Sequence, residues 1–278
     1  MKQVEIEVKN EIIGDDIYST LYEISPAGFI ERNDSGTHRF IIFVEDDKVN
    51  HISEMLSGYP WVAEIRIDKN VEEEGWLSTW KENYHPITIP PFKIIPIWQR
   101  EDVDTEGYLP IYINSGIAFG TGEHETTRLC LRLLSKLDVK GKKVLDIGTG
   151  SGILAMAAAK LGASHVDAFD LDPVAVETAR ENIALNGIEN IYVFQKDALA
   201  YRGEGATRYD VVLANLVWSI LSEIPDGIKD VIVPDGIVIA SGILKEQLND
   251  FLTLYEDKGF IPLHVLEEEE WVGVMLRG

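Results

Sequence analysis

Apolar and polar positions alternate in three short runs near the start of the chain, "VEIEV", "THRFIIFVE" and "WVAEIRID", and a period of two marks half-buried strands. Between them, "DDIYSTLYEIS" and "VNHISEMLS" repeat apolar residues at helical spacing. A short "GFIER" stretch adds a fourth strand, so residues 1–68 are expected to form a small ferredoxin-like α+β domain in the order β-α-β-β-α-β. It holds no catalytic constellation, and binding or positioning is its expected role. The pattern then changes in "VEEEGWLSTWKENYHPITIPPFKIIPIW", where Trp76 and Trp80 stand one helical turn apart and Pro86, Pro90, Pro91 and Pro96 follow. Prolines at this density stop helices and stiffen connections, which predicts a linker helix and an extended segment over residues 69–95. The tryptophan pair is expected to pack against a neighbouring domain.

The remainder, residues 96–278, has a different rhythm. The spacing predicts helices over 124–137, 152–161, 173–186, 219–230 and 245–257, alternating with strands over 142–147, 165–170, 190–195, 209–214 and 236–241. Two further strands, near 260–266 and 270–276, follow with no helix between them. Strand-helix alternation calls for a mostly parallel, Rossmann-like sheet covered on both faces, and the final pair for an antiparallel C-terminal hairpin at one edge. The fold class is therefore α/β with a small α+β domain in front.

Composition narrows this picture in a few places. With 278 residues, 45% of them hydrophobic, the chain accommodates one large domain and one small one. No apolar run approaches the roughly 18 residues needed to cross a bilayer, and the start lacks a basic segment followed by an apolar one, so a cytoplasmic location is expected. Cys130 is the single cysteine, and its place among Leu129, Leu133, Leu134 and Leu137 reads as packing rather than as a nucleophile. The six histidines make no zinc-ligand spacing, so no metal site is expected. Lys and Arg total 25 against 47 Asp and Glu, a formal charge of -22, which opposes nucleic acid and favours a basic partner or simple solubility.

The chemistry concentrates in "VLDIGTGSGILAMAAAKLGASHVDAFDLDP", residues 144–173. A strand enters a turn holding Asp146, Gly148, Gly150 and Gly152, and glycines there accept positive φ and let backbone N–H groups approach a ligand. The loop reads G-T-G-S-G with an aspartate two residues ahead, unlike the G-x-G-x-x-G that clears room for a pyrophosphate. An acid at the turn suits a ligand that carries positive charge and no phosphate, as S-adenosylmethionine does. Asp170 ends the next strand, where a carboxylate can accept both ribose hydroxyls. Asp197, beyond the third strand, is placed to meet the adenine edge, while Asp172 before Pro173 reads as a helix cap.

On these residues the chain resembles class I S-adenosylmethionine-dependent methyltransferases, and three further stretches narrow the match. "AFGTGEHETTRLCL" (118–131), "VVLANLVWSIL" (211–221) and "SGILKEQ" (241–247) are similar to the PrmA family, ribosomal protein L11 methyltransferases, as is the layout of the N-terminal domain and linker. The resemblance implies S-adenosylmethionine as cofactor, contacted by Thr127, Gly148, Asp170 and Asn215, with Gly150 in the same loop and with Phe119 and Gly120 closing a flap. It implies as substrate the lysine side chains and N-terminal amine of L11, a basic protein of the large ribosomal subunit. Asn215 and His124 are the candidates for orienting the amine; His124 as a plain helix start is an equal alternative. The chain departs from the family at "INSGIAFGTG", where Asn114, Ser115 and Ile117 replace an aspartate-proline-glycine-methionine run. The alternative substrate is a small molecule, and a non-catalytic protein-binding module is a further rival. A base-amine enzyme is disfavoured because "ANLVW" stands where an Asn/Asp-Pro-Pro-aromatic run would be. The loop spacing argues against a nicotinamide dehydrogenase.

Overall fold

The computed structural model describes residues 2–9, 17, 20–21, 24, 30–34, 37–44, 48–68, 85–114, 122, 124–202 and 207–278. By internal contacts the chain divides into two units, residues 1–84 and 85–278.

In the first unit, strands β1 (Lys2–Val8), β2 (Ile30–Asp34), β3 (Thr37–Val44) and β4 (Val62–Asp68) form one antiparallel sheet in the order β2-β3-β1-β4. That order is what the expected β-α-β-β-α-β unit requires. Val4, Ile6 and Val8 bury one face of β1, and Phe40, Ile42 and Val44 continue that face on β3, so the alternation read in the sequence is the pleat of this sheet. Helix α1 (Val49–Ser57) covers it with Val49, Ile52 and Leu56, and the helical residues Ile17 and Leu21 join the same core. Trp76, Trp80 and the expected linker helix lie outside the described residues.

In the second unit, residues 85–96 are not a connection. They form β5 (Ile87–Ile89) and β6 (Phe92–Pro96), a hairpin closed by the cis peptide between Pro90 and Pro91, and β6 pairs in parallel with β7 (Leu109–Ile113). Phe92, Ile94, Ile95, Ile111 and Ile113 are buried, and Ile94 and Ile111 join the same core as α2 (Glu125–Leu134) and α3 (Ile153–Lys160). The prolines sit at the hairpin turn and at the strand's end, positions where a missing N–H disturbs no ladder. The linker boundary expected at 95/96 therefore moves to 84/85.

The main sheet has seven strands: β8 (Lys143–Ile147), β9 (His165–Asp170), β10 (Ile191–Gln195), β11 (Tyr209–Asn215), β12 (Ile232–Leu244), β13 (Ile261–Glu268) and β14 (Trp271–Arg277). Their order is β10-β9-β8-β11-β12-β14-β13, with the first five parallel and β14 antiparallel to both neighbours. The C-terminal hairpin lies at the edge, as expected, with its second strand inserted beside β12. Helices α2, α3 and α4 (Pro173–Leu185) bury one side of the central strands. Helices α5 (Trp218–Leu221), α6 (Pro225–Val231) and α7 (Leu248–Asp257) accompany the other core, around Phe251 and Tyr255. Covered on both faces, β8 is apolar from Val144 onward except for Asp146. Pro225 breaks the helix expected over 219–230 into α5 and α6, because a proline lacks the N–H that would continue the first of them. Among the described residues no helix is long and apolar enough to cross a membrane.

If β5–β7 belongs to the main core, Ile94→Ala should cost about 2–5 kcal/mol of unfolding free energy, because the side chain is wholly buried there. Urea denaturation measures it, and a loss below about 1 kcal/mol would show that the small sheet is only loosely attached.

Candidate active site at the carboxyl ends of the parallel strands

Strands β8, β9 and β11 all deliver their last residues to one edge of the sheet. β8 runs into a turn in which Gly148, Gly150 and Gly152 take φ of 72°, 53° and 83°, the left-handed region that a β-carbon disfavours. The turn is held by its neighbour β9: the N–H groups of Gly148 and Thr149 both donate to the Phe169 carbonyl at 2.9 Å. The Gly150 N–H donates to Asp170 Oδ2 at 2.9 Å, and the Asp172 N–H to Asp170 Oδ1 at 3.1 Å. Asp170 is largely buried, and that burial pushes its carboxyl up from the usual range while these N–H groups pull it back. Asp172 caps α4, accepting the Val174 N–H at 2.8 Å ahead of Pro173, as the sequence suggested.

Asp146, at the end of β8, is completely buried. Its Oδ2 accepts the Thr149 hydroxyl at 2.7 Å and the Ala155 N–H at 3.2 Å, whereas Oδ1 has no hydrogen-bond partner among the described residues. Burial raises its carboxyl to about 7, and the nearby Asp170 adds to the rise. A buried acceptor left open beside a glycine turn is a place for a cationic or hydrogen-donating group, the use that an acid at this turn suggests in the sequence.

On the opposite side, α2 starts at His124, whose Nδ1 accepts the Thr126 N–H at 3.3 Å and lies 2.8 Å from Thr126 Oγ1. The imidazole is a helix cap, and its ring meets Trp271 edge-on at 5.1 Å. Thr127, fully buried, accepts from Asn215 Nδ2 at 3.4 Å, so two candidates 88 positions apart in sequence come together. Arg128 and Arg132 grip Glu268 at 2.7 and 2.6 Å, tying α2 to the C-terminal hairpin. Asp197 caps a short turn through the Leu199 N–H at 2.9 Å. Phe119 and Gly120, with Ser115 and Ile117, lie outside the described residues. Cys130 is buried, its thiol pushed far up by burial and by the Asp146 carboxyl, so it carries no thiolate.

Two close approaches explain why the "ANL" and "SGIL" stretches occur together in this chain. A β-carbon on Gly148 would stand 2.4 Å from Leu216 Cδ2, so this glycine admits the leucine of "ANL". One on Gly242 would stand 2.1 Å from the Leu216 carbonyl oxygen, and the Leu216 N–H donates to Ser241 at 3.1 Å. The "SGIL" and "ANL" stretches are thus two halves of one close backbone approach, which places Asn215.

Comparison with known proteins decides the family. Residues 29–278 match the model of the family described as ribosomal protein L11 methyltransferase (PrmA). A relative of that name from Bacillus pumilus is 34% identical over 277 residues, 95% of this chain and 86% of its own length. Another from Clostridium perfringens is 35% identical over 280 residues, 97% and 88% respectively. The chain belongs to the PrmA family. A solved ribosomal protein L11 methylase from Lactobacillus delbrueckii subsp. bulgaricus, 33% identical, superposes with a TM-score of 0.64 over 69% of this chain and 98% of that one. As a PrmA family member the protein is a methyltransferase of the class I fold, with S-adenosylmethionine as methyl donor. The donor set at the strand ends fits that cofactor: carboxylates for hydroxyl and ammonium groups, glycine N–H groups without a phosphate cradle, and one buried acceptor left open.

Between about pH 4 and 7 the folded protein keeps a proton on Asp146 that the unfolded chain has released, so this group's contribution to stability falls as pH rises through that window. Asp146→Asn removes the titration. The variant should gain on the wild type by a few kcal/mol between pH 5 and pH 8 in urea denaturation, and a pH-independent difference would mean that Asp146 is ionised throughout.

Proposed function

We propose that the protein transfers methyl groups from S-adenosylmethionine to amino groups of ribosomal protein L11, on lysine side chains and the N-terminal amine. What supports this substrate is that the family match runs through both units rather than through the methyltransferase sheet alone. A small-molecule substrate would leave the N-terminal unit without a task. The place of action is then the cytoplasm, where ribosomal proteins are made.

Bound S-adenosylmethionine supplies an electrophilic methyl group on a sulfonium. Asp170 accepts the ribose hydroxyls, and Asp197 meets the adenine edge with the oxygen that its turn does not use. Gly148 and Gly150 present backbone without side chains, and Asp146 Oδ1 is the acceptor for the ammonium of the methionine end. Thr127 takes the Asn215 amide N–H, which leaves the Asn215 carbonyl oxygen to align the incoming amine. A free lysine has a pKa of about 10.4 and must lose its proton before it attacks, and desolvation at the strand ends favours the neutral amine. His124 caps α2 through the Thr126 N–H, and its main-chain carbonyl accepts the Thr127 N–H at 3.1 Å, so it positions the start of this helix instead of touching the amine. Alignment of the amine with the methyl group is the main lever on the rate, and no acid-base triad is required.

The unit of residues 1–84 is assigned to recognition of L11 and residues 85–278 to the cofactor, with the acidic charge of the chain attracting a basic partner. Incubation with labelled S-adenosylmethionine and unmodified large-subunit proteins, followed by mass spectrometry, should place label on L11 alone. Asp170→Ala should weaken cofactor binding about 100-fold, the worth of two hydrogen bonds to a charged group. Deleting residues 1–84 should abolish labelling and leave cofactor affinity intact. Label on other proteins, or cofactor binding lost with the deletion, would overturn the assignment.

A further inference from the structure

Helix α4 buries Ala175, Val176, Ala179, Asn182 and Ile183 along one stripe. Four of these are apolar, and Asn182, completely buried, breaks the stripe toward its C-terminal end. An amide in such a place is retained only where both of its ends are bonded. Asn182 Oδ1 accepts the Asn114 N–H at 2.8 Å, and Nδ2 donates to the Ser151 carbonyl at 2.9 Å. One turn later, Asn186 Oδ1 accepts the Tyr112 N–H at 2.9 Å, and its Nδ2 donates to the Tyr112 carbonyl at 2.6 Å.

Tyr112 and Asn114 are alternate residues, and β6 pairs with the other edge of β7. The two side-chain amides therefore stand where a neighbouring strand would bond the main chain. Their second ends differ. Asn186 returns to Tyr112 itself, with further contacts to the Asn182 carbonyl at 2.8 Å and to Met156 Sδ on α3 at 3.3 Å, and among the described residues it makes no bond to the glycine turn. Asn182 instead reaches the glycine turn.

That reach falls on one peptide plane. The Gly152 N–H, on the same peptide as the Ser151 carbonyl, donates to the Thr149 carbonyl at 2.8 Å, so the plane is pinned from both sides. The residue before it, Gly150, is the one whose N–H meets Asp170. Glycines on both sides of Ser151 give this plane a freedom that one bond inside the turn, to Thr149, and one outside it, from Asn182, together remove.

We infer that Asn182 is a positioning residue for the cofactor site: it locks the Ser151–Gly152 peptide and ties the glycine turn to the end of β7. Asn186 is the purely structural member of the pair. The inference rests on the methyl-transfer reading above. At Asn114 the bond uses the main-chain N–H, and the side chain is exposed, so the tie to β7 does not depend on which side chain stands there.

The test compares matched truncations on one helix. Asn182→Ala should raise the Kd and KM for S-adenosylmethionine about 10-fold, with kcat at saturating cofactor within about threefold of wild type. Asn186→Ala should lower the melting temperature at least as much and leave that Kd within about twofold. If Asn182→Ala does not fold, Asn182→Leu, which fills the space and completes the apolar stripe, takes its place with the same expected Kd. Equal Kd changes in the two positions, or a Kd unchanged at position 182, would overturn the inference alone. Wild-type protein that binds no S-adenosylmethionine would overturn the methyl-transfer reading and this inference with it.

Discussion

The hydrogen bond from the Gly150 N–H to the Asp170 carboxylate, 2.9 Å long, joins the two strand ends on which the site depends. Other bonds hold the glycine turn to the Phe169 carbonyl and to Asp146, but among the described residues only this one ties it to the side chain of Asp170. With it, the turn has a fixed φ pattern, and a carboxylate that would prefer water is kept largely buried at the sheet edge. The arrangement is only possible because β8 and β9 are parallel neighbours whose registers end together, Ile147 opposite Phe169. A parallel sheet brings all its strand exits to one side, and this chain uses that side for its polar groups.

The same edge is closed from across the sheet by a second set of contacts. Asn215 at the end of β11 meets Thr127 on α2, and the close passage of Leu216 over Gly242 and Gly148 decides where Asn215 can stand. Arg128 and Arg132 hold the C-terminal hairpin through Glu268, so β13 contributes to the position of α2 although it lies at the far edge of the sheet. Five separated segments thus converge on one rim, and that convergence, more than any single residue, matches the demands of an alignment reaction.

Much of this was legible in the sequence, and what was not has physical reasons. The strand-helix rhythm, the glycine turn, the Asp172 cap and the parallel core followed from local periodicity, which the parallel sheet preserves. Residues 87–96 read as a connection because proline density signals a break, yet these prolines occupy the turn and end of a hairpin that only tertiary pairing with β7 reveals. The division of 219–230 turns on a single proline whose effect depends on where the helix starts. That β14 lies between β12 and β13 is a long-range choice with no local signature. Asn182 did leave a trace, a polar residue on an apolar helical stripe, but its partners lie 31 and 68 positions away, where periodicity cannot reach.

The central claim is that the rim holding Gly150, Asp170 and Asp172 is the cofactor site, and it can be tested at the level of individual amides. In 1H–15N correlation spectra recorded during a titration with S-adenosylhomocysteine, the Gly150 and Asp172 amides, both bonded to Asp170, should move in step with saturation. The Asn186 side-chain amide should stay in place. Saturable binding that leaves Gly150 and Asp172 unmoved, while amides elsewhere in the chain shift, would contradict the account.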